Sequence, residues 1–171
     1  MTKLIAHTER LVLRQMEPAD ALFLCRLLNE PSWLQNIGDK GVRTPQDADA
    51  YIRTNFVGVY RVLGFGMYLV ESRKQARPMG VCGLVKRNGL PHPDIGFGFM
   101  PEFRGRGYAF EAASAVVEHA RALGFEKLLG IAKSTNCPSI KLLEKLGFRS
   151  EGLTRLATSA ESLRLYGVEL K

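Results

Sequence analysis

The strands of this chain are indicated by stretches in which apolar and polar residues alternate. "RLVLR" (10–14), "FGMYLVES" (65–72), "PMGVCGLVKR" (78–87) and "DIGFGFM" (94–100) each predict a strand, with a turn over 72–77. "KLLGIA" (127–132) is a short apolar run typical of a buried strand, and residues 150–156 and 163–170 predict two more. About seven strands are therefore expected.

Helical spacing of apolar residues separates these strands. Four helices are predicted, over about 18–30, 44–63, 109–123 and 137–146. Pro31 is predicted to end the first, Thr44 or Asp47 to cap the second, and Gly124 to end the third. The order β-α-α-β-β-β-α-β-α-β-β predicts an α/β (α+β) fold in one domain over 1–171, with a mixed central sheet flanked by helices.

The strand at 94–100 has two different faces. Ile95, Phe97 and Phe99 supply bulk on one face, which predicts core. The other face carries Asp94, Gly96, Gly98 and Met100. Glycine on that face allows a ligand or another part of the backbone to approach closely, or marks a bulge.

Composition narrows the class of protein. The 171 residues contain no apolar run near the roughly 18 that a membrane span needs, and the charged N-terminal stretch lacks a signal-peptide apolar region, so a cytoplasmic location is expected. The three cysteines have no paired spacing and the three histidines lie far apart. Neither a disulfide framework nor a metal site is predicted.

The net charge of +7 suggests an anionic partner, although charge also serves solubility. Lysine and arginine are spread along the chain without a block of like charges, so no nucleic-acid partner is predicted. A basic nucleic-acid-binding domain stays open as an alternative, testable through the salt dependence of binding.

The loop "EFRGRGYAF" (102–110) concentrates charge and backbone freedom directly before the third helix. The first turn of a helix has N–H groups without internal partners, and these together with the helix dipole favour an anion. Gly105 and Gly107 allow a phosphate to reach the main chain, and the side chains of Arg104 and Arg106 add charged donors. The loop therefore predicts a site for a diphosphate.

The same loop carries a family resemblance. "RGRGYA" (104–109) resembles the R/Q-x-x-G-x-G/A motif of the Gcn5-related N-acetyltransferases (GNAT), and "TERLVLR", "DIGFGFMPEFRGRGYAFEA" and "NCPSIKLLEKLGF" are similar to the RimJ/RimL branch, which acetylates protein N-terminal amines. The motifs span nearly the whole chain in the expected order. The resemblance implies acetyl-CoA as cofactor. It implies cofactor-binding roles for Phe99, Met100, Arg104, Gly105, Arg106, Gly107, Tyr108, Ala109, Asn136 and Ser139. A helix cap is the other interpretation of Asn136, and the two roles are compatible.

Acetyl transfer to an amine requires a base, a polarised carbonyl and an acid for the leaving thiolate. Asp94 is the first candidate for the base, with His92 or a water as alternatives and a turn-forming role as the structural interpretation of Asp94. A main-chain N–H near Phe99 or Met100 is expected to polarise the carbonyl. Many relatives place a Tyr where this chain has Leu143, so Ser139 is the substitute candidate for the acid, with a helix cap as its other interpretation.

The acceptor is left open by the sequence. Protein N-termini of the ribosomal-protein type fit the branch, while small amines, amino acids and aminoglycosides fit the fold. Residues 29–44 are expected to line the acceptor side, with Trp33 as a substrate wall or a buried anchor. A non-catalytic acyl-CoA sensor or interaction module is the alternative that Leu143 keeps open. The oligomeric state is unknown, and a homodimer is compatible with the sequence.

Overall fold

The computed structural model describes residues 2–171. Its eight strands are β1 (Leu4–His7), β2 (Leu11–Gln15), β3 (Met67–Ser72), β4 (Pro78–Val85), β5 (Asp94–Phe99), β6 (Lys127–Ala132), β7 (Arg149–Arg155) and β8 (Ser162–Glu169). Its α-helices are α1 (Ala21–Leu28), α2 (Pro31–Asn36), α3 (Pro45–Ile52), α4 (Gly58–Leu63), α5 (Tyr108–Ala122) and α6 (Cys137–Lys145). The predicted α/β class is confirmed, with one strand more than expected.

Local sequence explains where most helices begin. Thr44 accepts a hydrogen bond from the Asp47 N–H while the Asp47 carboxylate accepts one from the Thr44 N–H, so both candidate caps act at the start of α3. A π turn (Arg53–Val57) joins α3 to α4, and the helical path ends at Leu63 as predicted. Asn136 caps α6, and Gly147 follows it with φ +93°.

Pro31 was expected to end the first helix, but it begins the next one. Glu30 is the N-cap of α2, and its carboxylate accepts hydrogen bonds from the Ser32 and Trp33 N–H groups. Proline has no N–H to satisfy, so it is as suitable for the first position of a helix as for the position after one. The resulting α2 covers part of the segment expected to line the acceptor side.

The sheet order is β1-β2-β3-β4-β5-β6-β8-β7, and its neighbours are antiparallel except for β5 and β6. β4 and β5 pair over six residue pairs, whereas β5 and β6 share the single pair Asp94 and Leu129. The two parallel strands therefore separate immediately after Asp94. This separation opens a gap in the middle of the sheet.

Helices cover both faces of the sheet. On one face α5 packs with residues that include Ala112, Ala113 and Val116, all fully buried. Leu123, at the predicted end of this helix, is exposed just beyond the end of α5. The helices α1, α3 and α4 pack on the other face. Within residues 2–171 no helix has the length and apolarity to cross a membrane.

Candidate active site

Two adjoining cavities meet at the gap between β5 and β6. The larger, of about 590 Å³, is lined by the start of α5, the start of α6 and part of α2. The smaller, of about 360 Å³, is lined by α3 and α4, the end of β4 and the beginning of β5. Four residues line both cavities: Trp33, Ile37, Phe97 and Ser139. A molecule in one cavity would therefore lie next to a molecule in the other.

The start of α5 presents a row of unpaired main-chain donors to the larger cavity. The Arg104 N–H donates to the Pro101 carbonyl, but within residues 2–171 the N–H groups of residues 105–109 have no acceptor. Gly105 and Gly107 have φ values of +73° and +81°, a conformation that other residues adopt only with strain. The turn is thus built to direct consecutive N–H groups outward at the positive end of a helix.

The side chains of the two loop arginines differ in their contacts. Arg104 donates to the Phe99 carbonyl and to the Glu30 carboxylate, at 2.9 Å in each case from Nη2. The Arg104 guanidinium is therefore already engaged in the contacts that hold the loop against α2 and β5. No such partner is found for the Arg106 side chain among residues 2–171, but Arg106 lines neither cavity.

Arg10 holds the other side of the loop. Its Nη1 donates to the Arg106 carbonyl at 3.0 Å, its Nε pairs with Glu111 at 2.7 Å, and its guanidinium lies 4.2 Å from the centre of the Tyr108 ring. Glu111 also accepts hydrogen bonds from the Thr8 hydroxyl and the Arg10 N–H. It thereby holds the turn before β2 against the first turn of α5.

The open edge of β5 has further unpaired main-chain groups. The Met100 N–H donates to the Met79 carbonyl on the β4 side, and peptide groups alternate in direction along a strand. The N–H groups of Phe97 and Phe99 therefore point toward the gap where β6 has separated. Phe99 and Met100 were the two residues expected to polarise a carbonyl. The Phe99 N–H faces the gap, whereas the Met100 N–H is hydrogen-bonded to β4 and Met100 lines neither cavity.

The start of α6 forms the opposite wall. Asn136 lines the larger cavity while its Oδ1 accepts a hydrogen bond from the Ser139 N–H at 3.4 Å, so capping and cavity lining coexist. Ser139 is half-buried and lines both cavities. Ser139 therefore lies where the two cavities join. Cys137, one residue before Pro138, is exposed and lines neither cavity.

Asp94 is the carboxylate of the smaller cavity. The residue is 1% exposed and its Oδ1 accepts a hydrogen bond from Arg87 Nε at 2.9 Å. Burial raises the pKa of the Asp94 carboxyl to about 6, although the charge of Arg87 opposes the shift. His92 lies in the turn before β5 and lines neither cavity. The geometry thus favours Asp94 over His92 as the base.

Leu143 and Trp33 complete the walls. Leu143 is 1% exposed and packs against Gly130, so the position at which relatives carry a Tyr is part of the core here. Trp33 lies over Gly98, where a Cβ would come within 2.5 Å of its ring. The indole Nε1 is buried and unpartnered within the described chain. Trp33 is therefore a wall of both cavities rather than only a core anchor.

Three cations of the smaller cavity were not identified from the sequence: Lys40, Lys86 and Arg87. They come from two distant segments, one before α3 and one after β4. No local motif joins them, so only the fold brings them together. Lys145, which lines the larger cavity with its ammonium 4.2 Å from the Phe110 ring centre, was missed for the same reason.

Comparisons with known proteins identify the family of this chain. The family model of the acetyltransferase (GNAT) domain matches residues 10–149. The chain is 30% identical to YkkB of Bacillus subtilis over 151 residues, covering 85% of this chain and 84% of that protein. It is 27% identical to YnaD of the same organism, described as an uncharacterized N-acetyltransferase, over 85% of this chain and 82% of that one.

Solved structures share the fold. An acetyltransferase from Agrobacterium tumefaciens superposes with a TM-score of 0.79 at 22% identity, covering 98% of this chain and 94% of its own. RimL, a ribosomal alpha-N-protein acetyltransferase, in complex with coenzyme A has a TM-score of 0.82 at 19% identity and covers 98% of each chain. At these identities the likeness concerns the fold.

Proposed function

The chain belongs to the GNAT family of N-acetyltransferases, and from this premise we propose that it transfers the acetyl group of acetyl-CoA to a primary amine by direct attack of the amine nitrogen. The larger cavity is assigned to the cofactor and the smaller one to the acceptor. The observation that carries this assignment is the row of unpaired N–H groups at 105–109 beside the larger cavity.

The residues around the larger cavity fit a coenzyme A molecule. Five consecutive N–H groups at the positive end of α5 suit the diphosphate. The gap-facing N–H of Phe99 and the Asn136 side chain suit the amides of the pantetheine arm. When bound, acetyl-CoA supplies an activated acyl group, a thioester whose carbonyl carbon accepts a nucleophile.

Asp94 is proposed as the general base of the acceptor cavity. An amine attacks only when its nitrogen is neutral, so a proton must leave the ammonium, and the ionised Asp94 carboxylate accepts it directly or through one water. A pKa of about 6 is closer to neutral pH than that of an ordinary aspartate, which improves the match to an amine. Arg87 orients the carboxylate from its Nε.

The remaining groups act on the thioester. The Phe97 N–H at the gap, in the wall shared by the two cavities, is proposed to stabilise the oxyanion that forms on the carbonyl oxygen. A new C–N bond forms as the C–S bond breaks, and the thiolate must take a proton. Ser139, at the junction of the cavities, is proposed to donate it, since Leu143 has no proton to give.

Membership of the GNAT family also bears on the chemical class of the acceptor. Structural relatives include an acetyl transferase from Salmonella typhimurium that modifies the N-terminal serine of a 50S ribosomal subunit protein. We propose a primary amine of a peptide N-terminus or of a small molecule as the acceptor here. Ile37, Tyr51 and Phe56 give its cavity an apolar wall.

The direct test measures thiol release from acetyl-CoA across a panel of peptides and small amines. We expect at least one primary amine to cause release of free thiol from acetyl-CoA. Mass spectrometry should then detect the acetylated form of that amine. Acetyl-CoA binding is measured separately by calorimetry. Failure of acetyl-CoA and other acyl-CoAs to bind would refute the proposal, and tight binding without turnover on every amine would point to an acyl-CoA sensor.

A further inference from the structure

The acceptor cavity has an unusual balance of charge for a protein that binds amines. Three cationic side chains line it, Lys40, Lys86 and Arg87, against the one carboxylate Asp94. Asp94 is already paired with Arg87. A cationic acceptor would therefore meet net repulsion everywhere except at the base itself.

The cations have no partners of their own to neutralise them. Among residues 2–171 no carboxylate lies within 4.0 Å of the Lys40 or Lys86 ammonium. Arg87 uses only its Nε for Asp94, and no hydrogen bond from its two terminal nitrogens is found within the same residues. Arg87 thus retains a two-nitrogen fork of the kind that binds carboxylates.

Lys40 and Arg87 line the same cavity. Desolvation, and after it the charge of Arg87, lower the pKa of Lys40, which indicates that the two cations are close even though much of the Lys40 side chain is exposed. Placing like charges together without a counter-ion is unfavourable. An anionic group between them would relieve that repulsion.

Resting on the proposed acetyl transfer, we infer that the acceptor is an amine that also carries an anionic group, bound by Lys40, Lys86 and Arg87, and an apolar side chain, bound by the cavity's aromatic and aliphatic wall. Two sources share this chemistry: a free amino acid with its own carboxylate, and a peptide N-terminus followed closely by an acidic residue. Polyamines and aminoglycosides, which carry several positive charges, are excluded as preferred acceptors.

The cation cluster also affects the chemistry of the bound amine. Positive charge around the acceptor nitrogen disfavours its ammonium form and so lowers the pKa of the bound amine. The anionic group of the acceptor attracts the three cations and so offsets their repulsion of the ammonium group. The reacting nitrogen still lies among positive charges, so it loses its proton more readily. Selectivity and activation therefore come from the same three side chains.

The first arm of the test compares matched acceptors in the thiol-release assay. Leucine is paired with leucinamide, the peptide Ser-Asp-Leu-Phe-amide with Ser-Asn-Leu-Phe-amide, and spermidine serves as the polycation. We expect kcat/KM to be at least about tenfold higher for the anionic member of one pair. A preference within the leucine pair would identify a free amino acid as the source of the anionic group. A preference within the peptide pair would identify a peptide N-terminus followed closely by an acidic residue. Leucinamide has the more acidic ammonium and hence more neutral amine, so a preference for leucine would run against intrinsic reactivity.

The second arm changes the cavity. The double variant carries Lys40→Glu and Lys86→Glu. We expect the ratio of kcat/KM for the anionic acceptor to kcat/KM for its neutral counterpart to fall by about tenfold in this variant, mainly through a change in KM. Lys74→Glu reverses a single charge, half of the change in the double variant, on the exposed turn between β3 and β4. It lines neither cavity and is expected to leave the ratio unchanged. Acetyl-CoA affinity, measured by calorimetry, should be unaltered in all variants.

The outcomes separate this inference from the proposed function. Turnover with equal or better use of the neutral or polycationic acceptors would overturn the inference and leave acetyl transfer intact. An unchanged ratio in the double variant would do the same. Loss of acetyl-CoA binding in the unmodified protein would overturn the proposed function, and the inference with it.

Discussion

At the scale of single residues, Asp94 illustrates how position changes the chemistry of an ordinary side chain. It begins β5 at the point where β6 separates, so it is buried by the sheet yet lines a cavity. That burial raises its pKa to about 6. The same residue on an exposed turn would titrate two units lower and be a weaker base.

The raised pKa predicts the pH profile of the enzyme. Because the base must be ionised, kcat/KM should fall as the pH is lowered through about 6, the pH at which half of Asp94 is protonated. Asp94→Asn should lower kcat by roughly 100-fold or more and remove this acidic limb, while acetyl-CoA affinity stays within about twofold.

The control for this prediction is His92→Gln, which should retain both activity and the acidic limb. Steady-state kinetics between pH 5 and 9 provide the measurement, with buffers of matched ionic strength. If the limb persisted in the Asp94 variant, the base would be another group.

Ser139 has a different test. Ser139→Ala should lower kcat by about tenfold and leave both KM values nearly unchanged, because a thiolate that takes its proton from water leaves more slowly. Ser139→Cys, which retains a proton donor, should recover part of the rate. Equal kcat in the alanine variant would assign Ser139 to structure alone.

At the scale of elements, the turn into α5 combines backbone conformation with binding. Gly107 is the N-cap with φ +81°, and a Cβ there would meet Arg10 Nη2 at 3.4 Å. Gly105 has the same handedness but open space around its Cα. The turn therefore needs glycine at both positions for its backbone conformation.

Two glycines at opposite ends of one helix give a matched pair of variants. Gly107→Ala and Gly124→Ala each place alanine at a positive φ, +81° and +89°, so each should cost about 1 kcal/mol of the free energy of unfolding. Only Gly107→Ala should weaken acetyl-CoA binding, by about tenfold or more, because it displaces the N–H groups that are proposed to hold the diphosphate. Chemical denaturation and calorimetry measure the two effects separately.

The elements were largely predictable from sequence because their signals are local. Alternation and capping residues indicated β2 to β8 and the starts of α3 and α6. β1 was missed because Leu4–His7 shows no buried alternating face, and it forms only by pairing with β2. α2 was missed because proline is compatible with either end of a helix.

The site was predictable only where a motif is continuous. The loop at 104–109 could be interpreted from its own residues, but the role of the Arg104 side chain depends on Glu30, which is distant in the chain. The positive lining of the smaller cavity likewise requires Lys40 and Arg87, from distant segments, to line one cavity. Such contacts follow from tertiary packing, which local patterns do not encode.

At the scale of the whole molecule, cofactor binding should stabilise the fold. The larger cavity is bounded by α2, α5 and α6, which belong to both faces of the sheet, so a bound molecule joins elements that otherwise contact each other little. Saturating acetyl-CoA, at about 100 times its Kd, should raise Tm by about 5–10 °C.

A truncated cofactor provides the control. Acetyl-pantetheine lacks the diphosphate that the α5 turn is proposed to bind, so at the same concentration it should raise Tm by less than about 2 °C. Differential scanning fluorimetry is sufficient for both measurements. An equal shift with the two compounds would mean that the α5 turn does not supply the main anchor.

The shared wall of Trp33, Ile37, Phe97 and Ser139 has a consequence for the order of events during turnover. Because the two compartments adjoin, donor and acceptor can reside in the protein simultaneously and exchange the acyl group without storing it on the polypeptide. Cys137, next to the start of α6, is exposed, and none of the three cysteines lines either compartment within residues 2–171. Initial-velocity plots should accordingly show intersecting lines, the signature of a ternary complex, rather than the parallel lines of a ping-pong cycle.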